Sequence, residues 1–214
     1  MTAASKVPSF LASRLFALAV LAGVGIGGGV YVDASLTQKG LSDQYVQAVA
    51  ADSETSDAVK VAMVMGHYYE SSGKHIGTPY IDTNGKGQPL TVCNGVTGRG
   101  VVAGRYYTPQ ACYNLEKGRY IEAERSTRSL LRNYETYGPL TKGALIDFTW
   151  NKGVGALATS TLRRKSDAGD KVGMCAEMPK WNKGTVNGVK VALPGLTGRG
   201  VANNEICATW DTPT

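Results

Sequence analysis

Eighteen consecutive residues, Leu15 to Val32, carry no charge. Lys6 and Arg14 precede them without an acidic residue, and Asp33 ends the run. The length meets the lower bound for a membrane-spanning helix, and the basic residues ahead of it set the N-terminus on the inner side. Eight of the eighteen residues are Gly or Ala. Glycine lowers helix propensity and small side chains bring little transfer free energy, so the span is a weak anchor. Gly23 with Gly27, and Gly25 with Gly29, form G-x-x-x-G pairs, although any glycine-rich run contains them. The stretch reads as a cleaved signal, a permanent anchor, or an uncleaved signal that first holds the chain and later lets go. Val32-Asp33-Ala34 fits a small-x-small cleavage site poorly, which favours the last of these. The chain therefore divides into residues 1–40, an inner stub with the span 15–32 and a linker, and a folded domain over 41–214.

With 214 residues and 43% hydrophobic content, the remainder is large enough to bury a core. Cys93, Cys112, Cys175 and Cys207 make an even set, consistent with two disulfides in an oxidising compartment and with any of three pairings. No C-x-x-C exists, and only His67 and His75 could add to a metal site, so neither zinc nor another cofactor is expected. The formal charge of +6 favours polyanions: nucleic acid, an anionic membrane or an anionic wall. Nothing resembles a zinc finger or an arginine-rich RNA-binding block.

Ser56 caps an apolar run, Ala58–Tyr69, that reads as a helix ending at Glu70. An acid at a helix C-terminus faces the negative end of the dipole, which suits a proton donor. The following residues to Val92 are rich in Gly and Pro. Short extended runs near Pro79–Asp82 and Leu90–Cys93 predict a small antiparallel sheet, with His75 in a loop. Asp82-Thr83-Asn84-Gly85 is either a simple turn or the seat of a second functional acid. Two carboxyl groups on opposite walls of a cleft can split a glycosidic bond, one donating a proton and the other remaining ionised.

Thr108-Pro109 starts a charge-studded helix running toward Leu131, with one wet face. Thr141 caps an apolar segment, Ala144–Trp150, that reads as a central core helix closed at Asn151–Gly155. Ser160 caps a helix stopped by Gly169, and Asp170–Met178 forms another. Lys180–Leu193 reads as loop, and Gly200–Trp210 as a last helix. One small sheet followed by helix after helix is an α+β, mostly α, pattern. Gly95-Val96-Thr97-Gly98-Arg99-Gly100-Val101 recurs almost unchanged at Gly195–Val201; the flanks differ, so this is similar loop chemistry rather than a repeat architecture.

Several blocks in order resemble the phage-type lysozymes of glycoside hydrolase family 24, most of all the endolysins with a signal-anchor-release N-terminus. They are Glu70 after its helix, Pro79–Asp82, Leu90–Gly98, Tyr107–Cys112, Phe148–Gly155, Ser160–Lys165, and Leu193–Leu196 leading to Glu205–Cys207. The resemblance covers about residues 60–210 and implies a lysozyme-like fold, with a small β lobe and a helical lobe. It implies a muramidase that cuts peptidoglycan between N-acetylmuramic acid and N-acetylglucosamine during host cell lysis. Glu70 would be the general acid, Asp82 would activate water or stabilise the cationic sugar, and Thr91 would help to hold that water. By chain order it pairs Cys93 with Cys112 and Cys175 with Cys207. The sequence departs from the family's pattern at Ser71-Ser72-Gly73 after the acid and in a longer turn between Asp82 and Thr91.

The resemblance further implies a monomer held in the host inner membrane through residues 15–32, with the catalytic domain in the periplasm, and later released. Release would depend on a holin or pinholin. The span has no cysteine, so thiol exchange with it is excluded as the trigger. No nucleic-acid partner is implied. Two other functions remain open at this stage: a lytic transglycosylase on the same strand, which needs no second carboxylate, and an inactive wall-binding module.

Overall fold

The computed structural model describes residues 6–9, 11–15, 37–83, 87–186 and 188–210. Helix α1, Gln38–Ala51, starts where Thr37 accepts the backbone N–H of Gly40. It begins within the stretch assigned to the linker. Asp52, just past its end, takes Lys117 and Tyr113 of a later helix, which fixes the α1 terminus. Helix α2, Asp57–Ser71, is capped by Ser56, as expected, and Ser72 closes it in the left-handed region at φ 55°. Its valine and methionine positions are buried nearly all round, as befits a helix inside the core.

Three short strands follow: β1 Tyr80–Ile81, β2 Leu90–Val92 and β3 Val96–Thr97. They form an antiparallel sheet in the order β1-β2-β3, with Tyr80 opposite Thr91 and Thr91 opposite Thr97. Helix α3, Pro109–Leu130, has Thr108 as its cap and a proline in its first turn. Most of its charged residues face water, but Glu116 does not: it is fully buried. The charge pattern places Glu116 with the wet face, and a buried polar partner set accounts for the difference, as described below.

A 3-10 turn at Tyr134–Thr136 leads to α4, Pro139–Lys152. This helix starts at Gly138 and Pro139 rather than at Thr141. Thr141 is inside, donating its hydroxyl to the carbonyl of Cys207 at 2.9 Å. Helices α2 and α4 form the most extensive helix contact, because Gly143 lets them approach: a Cβ there would stand 2.4 Å from Val61. Gly153, at φ 87°, breaks the chain into α5, Val154–Thr159. Helices α6, Thr161–Asp167, and α7, Lys171–Cys175, carry the side-chain caps Ser160 and Asp170.

After a 3-10 turn at Met178–Lys180, the expected loop is a hairpin of β4, Lys183–Val186, and β5, Val189–Ala192. The last helix, α8, is Pro194–Glu205, earlier than expected, and a π-helical turn at Ile206–Trp210 follows it. Disulfides join Cys93 to Cys112 and Cys175 to Cys207. The fold is mostly helical with small antiparallel sheets.

The segment leading into the uncharged run, together with the first residue of that run, packs on this body. Val7, Leu11 and Leu15 join the core, and the Lys6 backbone N–H donates to Glu205 at 2.6 Å. Among the described residues no helix is long and apolar enough to cross a membrane. Residues 16–32 of the expected span lie outside the described residues.

Candidate active site

Glu70 is in the last turn of α2, where the helix runs out toward the β lobe. Its carboxylate accepts from the Arg199 guanidinium of α8. The helix end is therefore not the only field on Glu70; a cation sits against it. Arg199 itself is 4% exposed. Its Nε and Nη2 donate to the two oxygens of Asp147, at 2.9 and 2.7 Å. Asn203 Nδ2 donates to the same carboxylate at 2.7 Å. Burial works against the guanidinium's charge, yet the Asp147 and Glu70 carboxylates together hold its pKa above the ordinary value. A bidentate fork of this kind fixes direction as well as charge, so Asp147 aims Arg199 and Arg199 holds Glu70.

Asp82 follows β1 directly, its backbone N–H bonded to the Pro89 carbonyl at 3.0 Å. Thr91 faces Tyr80 across the ladder. Its hydroxyl donates to the Pro89 carbonyl at 3.1 Å, and the residue is buried. Tyr80 reports on both carboxylates. Its phenol is pushed up by partial burial, then by Asp82 and then by Glu70, so both negative charges act on one side chain. Glu70, at the end of a helix, and Asp82, on the hairpin, thus both lie near enough to Tyr80 to act on it, and Thr91 is the ladder partner of Tyr80.

Around Glu70, Tyr69 donates its hydroxyl to the Gly198 carbonyl at 3.3 Å and lies under Arg199. Lys152, at the end of α4, has its pKa lowered by burial and then by Arg199. A cavity of about 380 Å3 opens beside this turn, lined on one side by Tyr69, Ser72 and Gly198 and on the other by Lys6 and Pro8. Among the described residues no group of three or more His, Cys, Asp or Glu side chains is placed to hold a metal ion. His67 and His75 take no part in nucleophilic geometry. His67 is locked in a buried hydrogen-bond chain. His75 is the loop residue that was expected, buried with Nε2 unpaired.

Sequence reading singles out Glu70, Asp82 and Thr91 as the site. It does not single out Arg199, which the structure places against Glu70, or Asp147 and Asn203, which belong to the same hydrogen-bond network. One signal was available for Arg199: the second copy of the repeated Gly-x-Thr-Gly-Arg-Gly-Val segment carries it.

The chain matches the phage lysozyme family over residues 74–203, which include Asp82, Thr91, Asp147 and Arg199 and begin just after Glu70. It is 34% identical over 129 residues to the SAR-endolysin of Bacteriophage PS119, covering 60% of this chain and 72% of that one. It is 33% identical over 129 residues to the SAR-endolysin of Enterobacteria phage P21, covering 60% and 73%. Among solved structures, the active form of P1 phage endolysin Lyz superposes with a TM-score of 0.63 at 21% identity, over 79% of this chain and 94% of that one. The endolysin of Escherichia coli O157:H7 phage FAHEc1 gives a TM-score of 0.62 at 22% identity, over 77% and 98%. The fold is lysozyme-like, and the chain belongs to the phage lysozyme family. It is a glycoside hydrolase of the lysozyme type.

Proposed function

We propose that the protein is an endolysin that hydrolyses the β-1,4 bond between N-acetylmuramic acid and N-acetylglucosamine in peptidoglycan, with Glu70 as the general acid. The observation that supports the assignment is a pair of carboxylates on different elements, Glu70 in the last turn of α2 and Asp82 just after β1, whose charges both act on Tyr80. Glu70 donates a proton to the leaving oxygen. Asp82 stays ionised and either directs the water or stabilises the cationic sugar. Thr91 has already given its hydroxyl hydrogen to Pro89, which leaves its oxygen to accept from an enclosed water. Arg199 holds the Glu70 carboxyl group in place, and the 30% of that side chain left exposed is the face a sugar can reach.

The SAR-endolysin relatives and the weak uncharged run at 15–32 support a chain held first in the host inner membrane, with its catalytic domain in the periplasm. Release to the periplasm follows, in dependence on a holin or pinholin. The relevant partner is the glycan strand of the wall, and the enzyme works as a monomer.

The test is wall clearing by Glu70→Gln beside the unaltered protein on outer-membrane-stripped cells. This swap keeps the shape and removes the proton donor. A fall of about 100-fold or more is expected, with the thermal melt retained. Full activity would rule Glu70 out as the acid. Asp82→Asn should fall as well; if it keeps full activity and yields anhydro-sugar products, the single-carboxyl transglycosylase reaction takes its place.

A further inference from the structure

Behind the acid's helix lies a second set of buried polar groups. His67 precedes Glu70 by one turn and is 2% exposed. Its carbonyl fastens the end of that helix, accepting the Ser71 hydroxyl at 2.6 Å and the backbone N–H groups of Ser72 and Gly73. Its ring Nδ1 lies 3.0 Å from Asn94 Oδ1, and its Nε2 lies 2.8 Å from Ser42 Oγ. Asn94 follows Cys93, at the end of the strand that carries Thr91. The Asn94 amide donates to both oxygens of Glu116, at 3.1 and 3.0 Å, and its backbone N–H donates to Glu116 Oε1 at 3.1 Å. Tyr45 donates its hydroxyl to Glu116 and stacks on the His67 ring. At the other end, Arg14 donates to Ser42 Oγ at 2.9 Å.

The donor inventory gives this chain one direction. Glu116 is met by donors alone and serves as their acceptor. The amide hydrogens of Asn94 are thereby used, and its oxygen must accept. His67 therefore carries its proton on Nδ1, and its bare Nε2 accepts from Ser42. Ser42 in turn accepts from Arg14. Every link donates from the Arg14 cation toward the Glu116 carboxyl group, which is ionised above about pH 7. Burial, with a smaller opposing pull from Asn94, brings the His67 pKa down to about 4, so the ring is neutral and has only one proton to place.

We propose that His67, Asn94 and Glu116 are positioning residues for glycoside cleavage, a one-way relay that holds the Glu70 turn in register with the Thr91 strand. The inference rests on Glu70 being the acid. The relay and the Cys93–Cys112 disulfide meet at the same place, because Glu116 is one turn beyond Cys112 on α3. Covalent and polar ties together leave the β lobe little freedom to slide along α2.

Asn94→Asp keeps the acceptor for His67 and removes the donor to Glu116. Glu116→Gln replaces one of the two oxygens that accept from Asn94 with an amide donor, which then faces the Asn94 amide hydrogens. Each alone should lower kcat on soluble peptidoglycan fragments about ten-fold or more with little change in KM, since misplacement of a catalytic group costs turnover. The double variant restores a matched pair, in which the introduced amide donates to the introduced carboxylate. It should recover most of the loss, a coupling that only interacting sites show. Single variants that keep full kcat, while Glu70→Gln is inactive, would overturn the relay and leave the acid in place. Full activity of Glu70→Gln would instead remove the acid itself. If the single variants do not fold, nitrogen-15 spectra of the unaltered protein decide: a neutral His67 protonated at Nδ1 supports the relay, and protonation at Nε2 overturns it.

Discussion

Arg199 sits between two anions of unlike surroundings. Asp147 is fully buried, and the Glu70 side chain is 30% exposed. Removing the buried partner leaves a cation inside the protein with half its compensation. Asp147→Ala should therefore cost roughly 3–5 kcal/mol in urea unfolding, and Asp147→Asn less, because an amide oxygen still accepts one bond. A loss below about 1 kcal/mol for the alanine variant would show that Glu70 alone satisfies the guanidinium. Glu116 poses the opposite case, a carboxylate whose charge is expensive. Burial pushes its pKa up to about 7, against the pull of Tyr45, Asn94 and Arg119, and Tyr120 stands nearby. The native state then holds a proton at pH values where the unfolded chain, at about 4.5, has lost it. Its contribution to stability is intact below about pH 4.5 and declines as pH rises to about 7. Unfolding in urea at pH 5 and pH 8 should give a stability difference that shrinks by on the order of 3 kcal/mol in Glu116→Gln. An unchanged difference would refute this account. Neither residue announces its role in the chain. Asp147 lies within an apolar run, and its partner Arg199 is 52 positions away; Glu116 is one charge among many on its helix.

The near-identical segments at Gly95–Val101 and Gly195–Val201 show where reading by element succeeds and fails. In the first, Gly95, Gly98 and Gly100 all have positive φ, and the chain makes a short strand and turns. In the second, the same pattern is helix α8, and Gly200 packs with a Cβ position only 2.9 Å from the Met178 carbonyl. Local propensity was shared; tertiary context decided the outcome. The elements that were legible have local causes, such as Ser56, Thr108 and Ser160, which cap helices as expected. The β4–β5 hairpin was missed although Asn187-Gly188 is a hairpin signal, because its strands are exposed and give no core-facing alternation. The start of α8 was missed because Gly195 and Gly198 fall among its first five residues and its N-cap, Leu193, makes no side-chain cap bond. What holds that helix late in the chain is partly covalent. The Cys175–Cys207 bridge spans 32 residues, a loop for which chain entropy predicts a loss of about 3–4 kcal/mol on removal. Replacing both cysteines with alanine should lower stability by that order and loosen α8, so activity should fall with it through Arg199. Activity unaffected at equal temperature would show that α8 is held by packing alone.

At the scale of the whole molecule, the N-terminal segment and the expected span cannot both do what each is suited to. Val7 and residues 11–15 lie against the catalytic body: Val7, Leu11 and Leu15 are buried in the core, and Arg14 reaches Ser42 and Asp43. Were residues 15–32 to cross a bilayer, about 27 Å of helix would separate Arg14 from a body on the far side. Under the proposed membrane release, the docked arrangement would belong to a chain that has left the membrane, and the relay through Arg14 and Ser42 would be complete only then. In that proposal glycine would make departure cheap, through poor helix propensity and missing apolar surface. Replacing Gly27 and Gly28 with leucine adds two large side chains, each worth roughly 1.5–3 kcal/mol of burial in lipid. The double variant should stay in the membrane fraction and delay lysis, while Leu11→Ala should leave release intact and cost the released enzyme roughly 2–5 kcal/mol of stability. Fractionation with timed lysis reads the first, and urea unfolding of the detergent-free protein reads the second. Lysis on schedule from a leucine variant still in the membrane would mean that the tethered chain is active and that docking of the N-terminal segment is not a condition for cutting the wall.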